Sequence, residues 1–352
     1  MRNRYSETIR RLTQSFEGTS LAIIAVAVAL LFTSAAVGNL IPALSVGDGP
    51  RVGELPEDTY LVAGKPVPRN LPPGRLPGGR PNVAKAVHGY FDNNGYELDR
   101  VRQGGMEVPP LFLSHMPRGL DSVKDVGARK RVFLRVVLPL VLEVNRRIER
   151  RRRYFLQLRQ RMAEGGGLAA LDAREREWLD AMTDRYRVKK GEWDKLKRRL
   201  DGVPPSLALA QAATESGWGT SRFAREGNAL YGQWTWDAKD TGMVPLQRGK
   251  GKTHRIRTFP NLLASVRGYV NNLNTHRAYK KLRDERTRLR RQGKGLDGPT
   301  LARTLDRYSE RGQAYIDDLL TIMKANDLAA LDAARLSGGE REAARLLPVQ
   351  PS

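Results

Sequence analysis

The sequence contains no cysteine and only four histidines among its 352 residues. The absence of cysteine excludes disulfides, thiolate zinc sites, cysteine nucleophiles and the acylation point of a bacterial lipoprotein. The histidines include no pair at the spacing of metal ligands, so we expect neither a metal ion nor a cofactor. Internal repeats of fixed period are also lacking.

Acidic residues are scarce relative to basic ones. The chain carries 61 Lys plus Arg against 38 Asp plus Glu, which gives a formal net charge of +23. A surface of this charge attracts polyanions, and nucleic acid, anionic lipid and acidic wall polymers all fit that description.

The N-terminal region holds the only long apolar run. Residues 20–38, SLAIIAVAVALLFTSAAVG, are uncharged and long enough to cross a bilayer as a helix. Four arginines precede them, so the positive-inside tendency predicts that residues 1–19 are cytoplasmic and that the rest of the chain lies in the periplasm. We therefore predict a single-pass inner-membrane protein with no nucleic-acid partner.

Two alternatives remain open for this apolar run. A signal peptide cleaved near Ser34 to Ala36 would release the chain into the periplasm. A buried helix of a soluble core is the third interpretation.

Composition divides residues 39–189 into two segments. Residues 39–110 are rich in Pro and Gly and read as a linker, whereas residues 111–189 read as a helical extension in which Pro139 should cause a kink or a boundary. The basic run at 146–161 is interpreted as a solvated helix face. A glycine stop at 164–167 and a capping box of Asp172 and Glu175 should follow.

The segment AATESGWG, residues 212–219, places one carboxylate, Glu215, after a run of small apolar residues. That run predicts a helix buried on nearly all sides, with Gln211 and Glu215 spaced i to i+4. Burial raises the pKa of a carboxyl group, as a general acid near neutral pH requires. The alternative is a helix-terminal glutamate bonded to backbone. Gly217 and Gly219 should end the helix and let backbone approach a ligand.

Aromatic residues make up only 7% of the chain, yet four Trp and Tyr side chains lie in residues 218–236. They are Trp218, Tyr231, Trp234 and Trp236. Flat indole faces suit the apolar faces of pyranose rings, although core packing explains such residues equally well. A buried acid beside an aromatic cleft is how glycosidic oxygens are protonated.

These motifs resemble a known family. The pieces Ala213 to Gly219 and Ser221 to Gly232 are similar to the glucosaminidase domain of family 73 glycoside hydrolases. The wider chain, through segments 108–117, 124–142 and 305–320, resembles the bacterial Bax-related proteins. The resemblance implies a lysozyme-like α+β domain with a small β lobe at 190–330, preceded by extra helices and the transmembrane helix, and followed by a flexible tail at 331–352.

The resemblance also implies an activity. The chain would hydrolyse the β-1,4 bond between N-acetylglucosamine and N-acetylmuramic acid in peptidoglycan, with Glu215 as general acid. The family's tyrosine falls within YSERGQAY, where Tyr308 is the first choice and Tyr315 the second. The substrate-binding residues would be Gln211, Trp218, Asn228, Tyr231, Trp234, Trp236 and Tyr315.

The sequence departs from the family at the second carboxylate. After NALYGQWTW only Asp237 and Asp240 are acidic, and neither matches the family's β-lobe motif, so they are candidate second acids or simply turn residues. The substrate's own acetamido oxygen is the other nucleophile that glycoside hydrolysis uses. The alternation in THRIRTF indicates a strand with a structural His254, and His276 follows a helix that leads toward the cleft.

Two other function classes share these motifs. A lytic transglycosylase has the same ES helix end but forms 1,6-anhydro-muramic products. A non-catalytic scaffold would bind the wall through the same aromatic residues. In every case the expected partners are peptidoglycan glycan strands and the inner membrane, and the sequence identifies no protein partner.

Overall fold

The computed structural model describes residues 60–62, 65–67, 74–75, 81–237, 240–245 and 253–338. Most of these residues are helical. In chain order the helices are α1 (Val83–Asn93), α2 (Leu98–Arg102), α3 (Val126–Glu164), α4 (Ala173–Arg185), α5 (Trp193–Arg199), α6 (Pro205–Ser216), α7 (Arg222–Gly227), α8 (Leu262–Thr275), α9 (Lys280–Arg291), α10 (Gly298–Ala302) and α11 (Gln313–Ala325). Short 3-10 turns occur at Leu120–Ser122, Gly167–Ala170, Arg277–Tyr279 and Ala329–Leu331.

The strands are short and all pair in antiparallel fashion. They are β1 (Tyr60–Val62), β2 (Lys65–Val67), β3 (Gly74–Arg75), β4 (Pro81–Asn82), β5 (Leu111–Phe112), β6 (Trp234–Thr235), β7 (Gly242–Met243) and β8 (Arg255–Arg257). In the sheet beside the cleft, β8 lies between β6 and β7, with Ile256 opposite both Trp234 and Met243. The predicted mainly helical fold with a small β lobe is confirmed.

Helix α3 is the longest element and packs across the core. The side chain of Asp125 caps its start by accepting from the backbone N–H groups of Gly127 and Ala128. The helix runs through Pro139 and ends before Gly165. Pro139 therefore marks no boundary. Proline removes one helical hydrogen bond, but the burial of all residues from 132 to 144 stabilises the helix by more than that bond would. The predicted glycine stop and the capping box at the start of α4 are confirmed.

The basic run of α3 is only partly the solvated face that we predicted. Arg146 and Arg147 both pair with the buried Glu143. Arg152 donates to the carbonyl oxygens of Lys197 and Leu200 at the end of α5. Arg146 and Arg147 thus neutralise a buried carboxylate of their own helix, whereas Arg152 links α3 to the end of α5.

Helix α6 carries the AATES motif through the middle of the molecule. Every residue from Pro205 to Ala213 is buried, and α3, α10, α11 and the turn at 329–331 surround the helix. The carboxylate of Asp332 accepts from the N–H and the hydroxyl of Ser206, both at 2.8 Å, and so caps the first turn. The helix ends at Gly217, whose φ is +57°.

Gly219 serves packing rather than the ligand approach that the sequence suggested. Its φ is +78°, and a Cβ at this position would lie 2.5 Å from Cε of Met116 and 3.0 Å from the ring of Phe133. The absence of a side chain therefore lets the turn after α6 close onto the core.

A buried ionic cluster joins α3, α9 and the loop between α5 and α6. Asp201 accepts from Arg290 at 2.9 Å, and Arg152 and Arg286 lie 3.6 and 3.7 Å away. Burial opposes ionisation of Asp201, but these guanidinium groups outweigh it and lower the pKa of the carboxyl. Arg286 itself is 1% exposed and donates to three backbone carbonyls and to the side chain of Asn274.

The predicted domain limits change in two places. The linker prediction for residues 39–110 is wrong from residue 81, because that part forms β4, α1 and α2 and buries Phe91 and Tyr96 completely. The tail prediction for 331–352 is wrong at its start, because Leu331 and Leu336 are buried. Residues 339–352 lie outside the described residues.

Buried side chains from 84 to 336 form one cluster, so the helical extension and the domain that follows share a core. The predicted cytoplasmic segment at 1–19 and the membrane span at 20–38 lie outside the described residues. Within the part of the chain that is described, no helix combines the length and apolar character needed to cross a membrane.

We expect Arg286→Lys to lower the free energy of unfolding by about 3 kcal/mol, since one ammonium group cannot satisfy the acceptors that the guanidinium reaches. Urea unfolding followed by circular dichroism measures this change. Arg291→Lys, one turn further along α9 at an exposed position, is the matched control and should change stability by less than about 0.5 kcal/mol. Equal effects of the two substitutions would contradict the structural role of Arg286.

Candidate active site

A cleft of about 960 Å³ opens at the C-terminal end of α6. Its walls come from three parts of the chain: residues 231–237, helix α8 with the turn that follows it, and residues 308–315. Glu215 lies in this cleft, in the last turn of α6. The buried helix thus delivers one carboxylate to an open, solvent-accessible groove.

The Glu215 side chain is half-buried and held from one side. Its Oε1 accepts a hydrogen bond of 2.9 Å from the hydroxyl of Tyr315. Gly232 approaches Oε2 so closely that a Cβ there would lie 3.2 Å from this oxygen. Burial raises the pKa of Glu215 to about 7, although the bond from Tyr315 and the positive charge of Arg311 oppose the rise. The carboxyl group is therefore partly protonated at neutral pH, as the apolar pattern of α6 predicts.

Tyrosines surround this carboxylate. Tyr308 stacks on Tyr315 with ring centroids 5.5 Å apart, and Tyr231 stacks on Tyr269 at 3.8 Å. Burial raises the pKa of all four hydroxyl groups, so they remain neutral donors. A cluster of this kind lowers the polarity around Glu215 without adding charge.

The structure reverses the order of the two candidate tyrosines. Tyr308 was the first choice, but its hydroxyl donates to the carbonyl oxygen of Tyr231 at 3.4 Å and does not bond Glu215. Tyr315 is the residue that contacts the carboxylate. Tyr308 still lines the cleft. The sequence could not separate them, because the loop between them decides which one faces α6.

Gln211 does not have the substrate-binding position that the sequence predicted. It is fully buried, its Nε2 donates to Tyr315 at 3.0 Å, and its Oε1 accepts from Tyr269 at 2.6 Å. A ligand in the cleft meets the tyrosines before it meets this amide.

Trp218 and Asn228 also lie away from the cleft lining. Trp218 packs edge to face on Phe133, and the ammonium group of Lys130 lies 4.8 Å from its ring centroid. Asn228 has a φ of +51°, donates to the carbonyl oxygen of Phe259, and places its Oδ1 3.0 Å from Nδ1 of His115. These contacts fix the turns on either side of α7 and do not form a substrate surface.

The remaining aromatic candidates do line the cleft. Tyr231 forms its floor and is nearly buried, whereas Trp236 is 51% exposed at the rim. Trp234 and Trp236 have ring centroids 5.9 Å apart, and His254 stacks flat on Trp234 at 4.0 Å. His254 therefore supports an indole ring, which agrees with its predicted structural role in the β lobe.

The other candidate carboxylates differ in their position. Asp237 is exposed and lines the cleft, whereas Asp240 accepts from the Thr235 hydroxyl at 2.7 Å and lies 3.2 Å from Arg257. Glu310, which sequence reasoning did not single out, is exposed and also lines the cleft. Among the described residues, no group of three or more His, Asp or Glu side chains is placed to hold a metal ion.

Other cleft residues were missed by the sequence analysis. Tyr279 comes from the turn after α8, and Arg311 lies in the loop before α11. His276 lines the cleft as predicted, and burial lowers its pKa. The usable signal was the polar end of α8, where NNLNTH places amide, hydroxyl and imidazole groups on a helix that is otherwise apolar.

Comparison with known proteins identifies the class to which this site belongs. Residues 192–328 match the Glucosaminidase family model, described as mannosyl-glycoprotein endo-beta-N-acetylglucosaminidase. The chain is 32% identical over 204 residues to protein Bax of Escherichia coli strain K12, which spans 56% of this chain and 70% of that protein. The catalytic domain of the autolysin Auto from Listeria monocytogenes is 18% identical, with a TM-score of 0.29, and the match covers 46% of this chain and 89% of that one.

The chain is a glycoside hydrolase of the endo-β-N-acetylglucosaminidase class. It belongs to the Bax-related proteins of the glucosaminidase family, as its motifs indicate. The matched range contains α6, the β lobe and all of the residues that line the cleft except Arg187.

We expect Glu215→Gln to stabilise the protein only at higher pH. Below its usual pKa of 4.5 the carboxyl is protonated in both states, but between 4.5 and about 7 it ionises only when unfolded. The free energy of unfolding therefore falls across this range, and glutamine, which still accepts from Tyr315, avoids that loss. The free energy of unfolding, measured by thermal unfolding, should be roughly 2 kcal/mol higher for the variant at pH 8 and the same for both proteins at pH 4. A constant difference at both pH values would contradict the raised pKa.

Proposed function

We propose that this protein hydrolyses peptidoglycan glycan strands at the β-1,4 bond between N-acetylglucosamine and N-acetylmuramic acid, with Glu215 as general acid. The observation that carries the proposal is a half-buried carboxyl group of pKa about 7 in an open cleft with aromatic walls. A general acid works best when its pKa lies near the working pH. The family match supplies the reaction class.

The cleft walls suit a polysaccharide with acidic substituents. The exposed ring of Trp236 and the neighbouring Trp234 offer flat faces for pyranose rings. Four arginines also line the groove: Arg187, Arg257, Arg277 and Arg311. Peptidoglycan presents carboxylates on its stem peptides, and on lactyl groups that carry no peptide, and guanidinium groups pair well with carboxylates. This complementarity favours a glycan that carries acids over a neutral one.

In the reaction, the protonated Glu215 gives its proton to the oxygen that leaves C1 of N-acetylglucosamine. The groups around it keep it competent, because burial among neutral tyrosines favours the protonated form. A second group must then supply the new bond at C1, either by activating water or as an internal acetamido nucleophile. We assign water activation to Asp237, which is exposed and lines the cleft, and not to Asp240, which does not line it.

The location is part of the same proposal and rests on the sequence alone. An uncleaved span at 20–38, preceded by arginines, would hold the domain in the periplasm at the inner membrane. Peptidoglycan would be within reach of a domain placed there. The lysozyme-like character of the domain is likewise proposed from its motifs.

The first test is mass spectrometry of purified peptidoglycan after incubation with the full chain, beside the Glu215→Gln variant. Borohydride reduction labels the new ends. We expect fragments ending in reducible N-acetylglucosamine from the wild type and a loss of at least about 100-fold in the variant. Anhydro-muramic ends would identify a lytic transglycosylase instead. Binding without fragments in either protein would identify a scaffold.

A second test separates the two aspartates. We expect Asp237→Asn to lower kcat by about tenfold or more, while Asp240→Asn keeps most activity and loses about 1 kcal/mol of stability from its broken contacts. Initial rates and urea unfolding of both variants measure these effects. If Glu310→Gln abolishes turnover while Asp237→Asn does not, the base is Glu310. Full activity in both would favour the acetamido nucleophile.

A further inference from the structure

A chain of hydrogen bonds leads from the interior of the protein to Glu215. The hydroxyl of Tyr269 donates to Oε1 of Gln211 at 2.6 Å, and Nε2 of Gln211 donates to the hydroxyl oxygen of Tyr315 at 3.0 Å. The hydroxyl of Tyr315 then donates to Oε1 of Glu215 at 2.9 Å. Tyr269 and Gln211 are fully buried and Tyr315 is 3% exposed.

The donors and acceptors of these hydrogen bonds all run in one direction, from Tyr269 to Glu215. An amide group has a carbonyl oxygen that only accepts and a nitrogen that only donates. The Tyr269 hydroxyl donates to the amide oxygen of Gln211, so the amide nitrogen faces Tyr315. This nitrogen donates to the hydroxyl oxygen of Tyr315. The hydroxyl proton of Tyr315 is then left for Glu215. Each donor in the chain therefore fixes the orientation of the next.

The direction decides which oxygen of Glu215 carries the acidic proton. Oε1 already receives a hydrogen bond, so a proton placed on it would face the proton of Tyr315. Oε2 lies beside Gly232, a residue of the cleft wall, and no described residue hydrogen-bonds it. Gly232 has no side chain to cover this oxygen. The structure therefore leaves Oε2 as the oxygen that bears the proton and meets a ligand.

We propose that Tyr269 and Gln211 are positioning residues that act through Tyr315 to keep the proton of Glu215 on Oε2. The inference rests on the proposed role of Glu215 as general acid. Reversal of the amide of Gln211 would leave the buried hydroxyl of Tyr269 without the acceptor that it has now, and an unpaired buried donor is costly. The buried hydrogen bond between Tyr269 and Gln211 thus fixes the orientation of the Tyr315 hydroxyl at the cleft.

The test uses the full chain labelled with glutamate carrying ¹³C at its carboxyl carbon. The Glu215 resonance is assigned from its absence in Glu215→Gln. Tyr269→Phe removes one buried hydroxyl, and Gln211→Met removes both bonds of the amide at nearly constant volume. We expect the pKa of Glu215 to rise by about half a pH unit or more in both, because its carboxylate loses a well-oriented donor. The alkaline limb of the kcat profile should move by the same amount.

The kinetic expectation is a drop in kcat of about tenfold below pH 6, with KM within about twofold, because the misplaced proton affects the transition state and not binding. Tyr96→Phe is the matched control, since Tyr96 is a fully buried tyrosine outside the cleft. It should change neither the titration of Glu215 nor kcat. A double-mutant cycle adds the decisive comparison: in a Tyr315→Phe background, Tyr269→Phe should have no further effect on the titration.

Two results would overturn the inference. One is a loss of kcat in Tyr269→Phe and Gln211→Met with the Glu215 titration unmoved, which would make both residues merely structural. The other is an effect of Tyr269→Phe that persists in full without the Tyr315 hydroxyl. Failure of the proposed function is seen separately, as turnover retained by Glu215→Gln, since the titration does not depend on activity.

Discussion

The burial of α6 on all sides is the constraint on which the site depends. Helices α3, α10 and α11 and the turn at 329–331 cover its length, and only its last turn reaches the cleft. A carboxylate at that point cannot be fully hydrated, and no basic side chain among the described residues bonds to it. Its pKa therefore rises toward neutrality. The helix that organises the core thus also sets the acidity of the group at its end.

Two carboxylates of this molecule show how surroundings decide the outcome of burial. Asp201 lies among three guanidinium groups, and their charges lower its pKa. Glu215 lies among neutral tyrosines, with Arg311 as the positive charge that acts on it, and burial raises its pKa to about 7. The first arrangement stabilises the ion and suits a structural role. The second keeps the proton available, which together with its place in the cleft supports the proposal that Glu215 is the acid.

The sequence predicted the parts of the fold that depend on local pattern. The buried character of α6, the glycine stop after α3, the capping box of α4 and the small β lobe all follow from neighbouring residues. The folded start at residue 81 was missed, because Phe91 and Tyr96 are buried by contacts with residues far along the chain. Pro139 misled for the same reason, since α3 continues through it within the buried core, although proline breaks isolated helices.

The site was predictable only at its centre. Glu215, the aromatic wall and the region of the tyrosines could be named from spacing and composition. The choice between Tyr308 and Tyr315 could not, nor could the burial of Gln211, because both depend on how α8 and α11 close against α6. Tyr269 gave no signal at all. In the sequence it is one more buried residue of an amphipathic helix. Only the structure shows that its hydroxyl donates to the side-chain amide of Gln211, 58 residues earlier in the chain.

The helical extension must be counted as part of the enzyme's framework. Helix α3 packs on both α6 and α8, and one continuous cluster of buried side chains spans the extension and the glucosaminidase domain. The family match begins at residue 192, yet the faces of α6 and α8 that point away from the cleft are covered by residues that precede it. Without that cover, α6 would be exposed along one side. The helix that presents Glu215 to the cleft is therefore held in a core that the matched range alone does not complete.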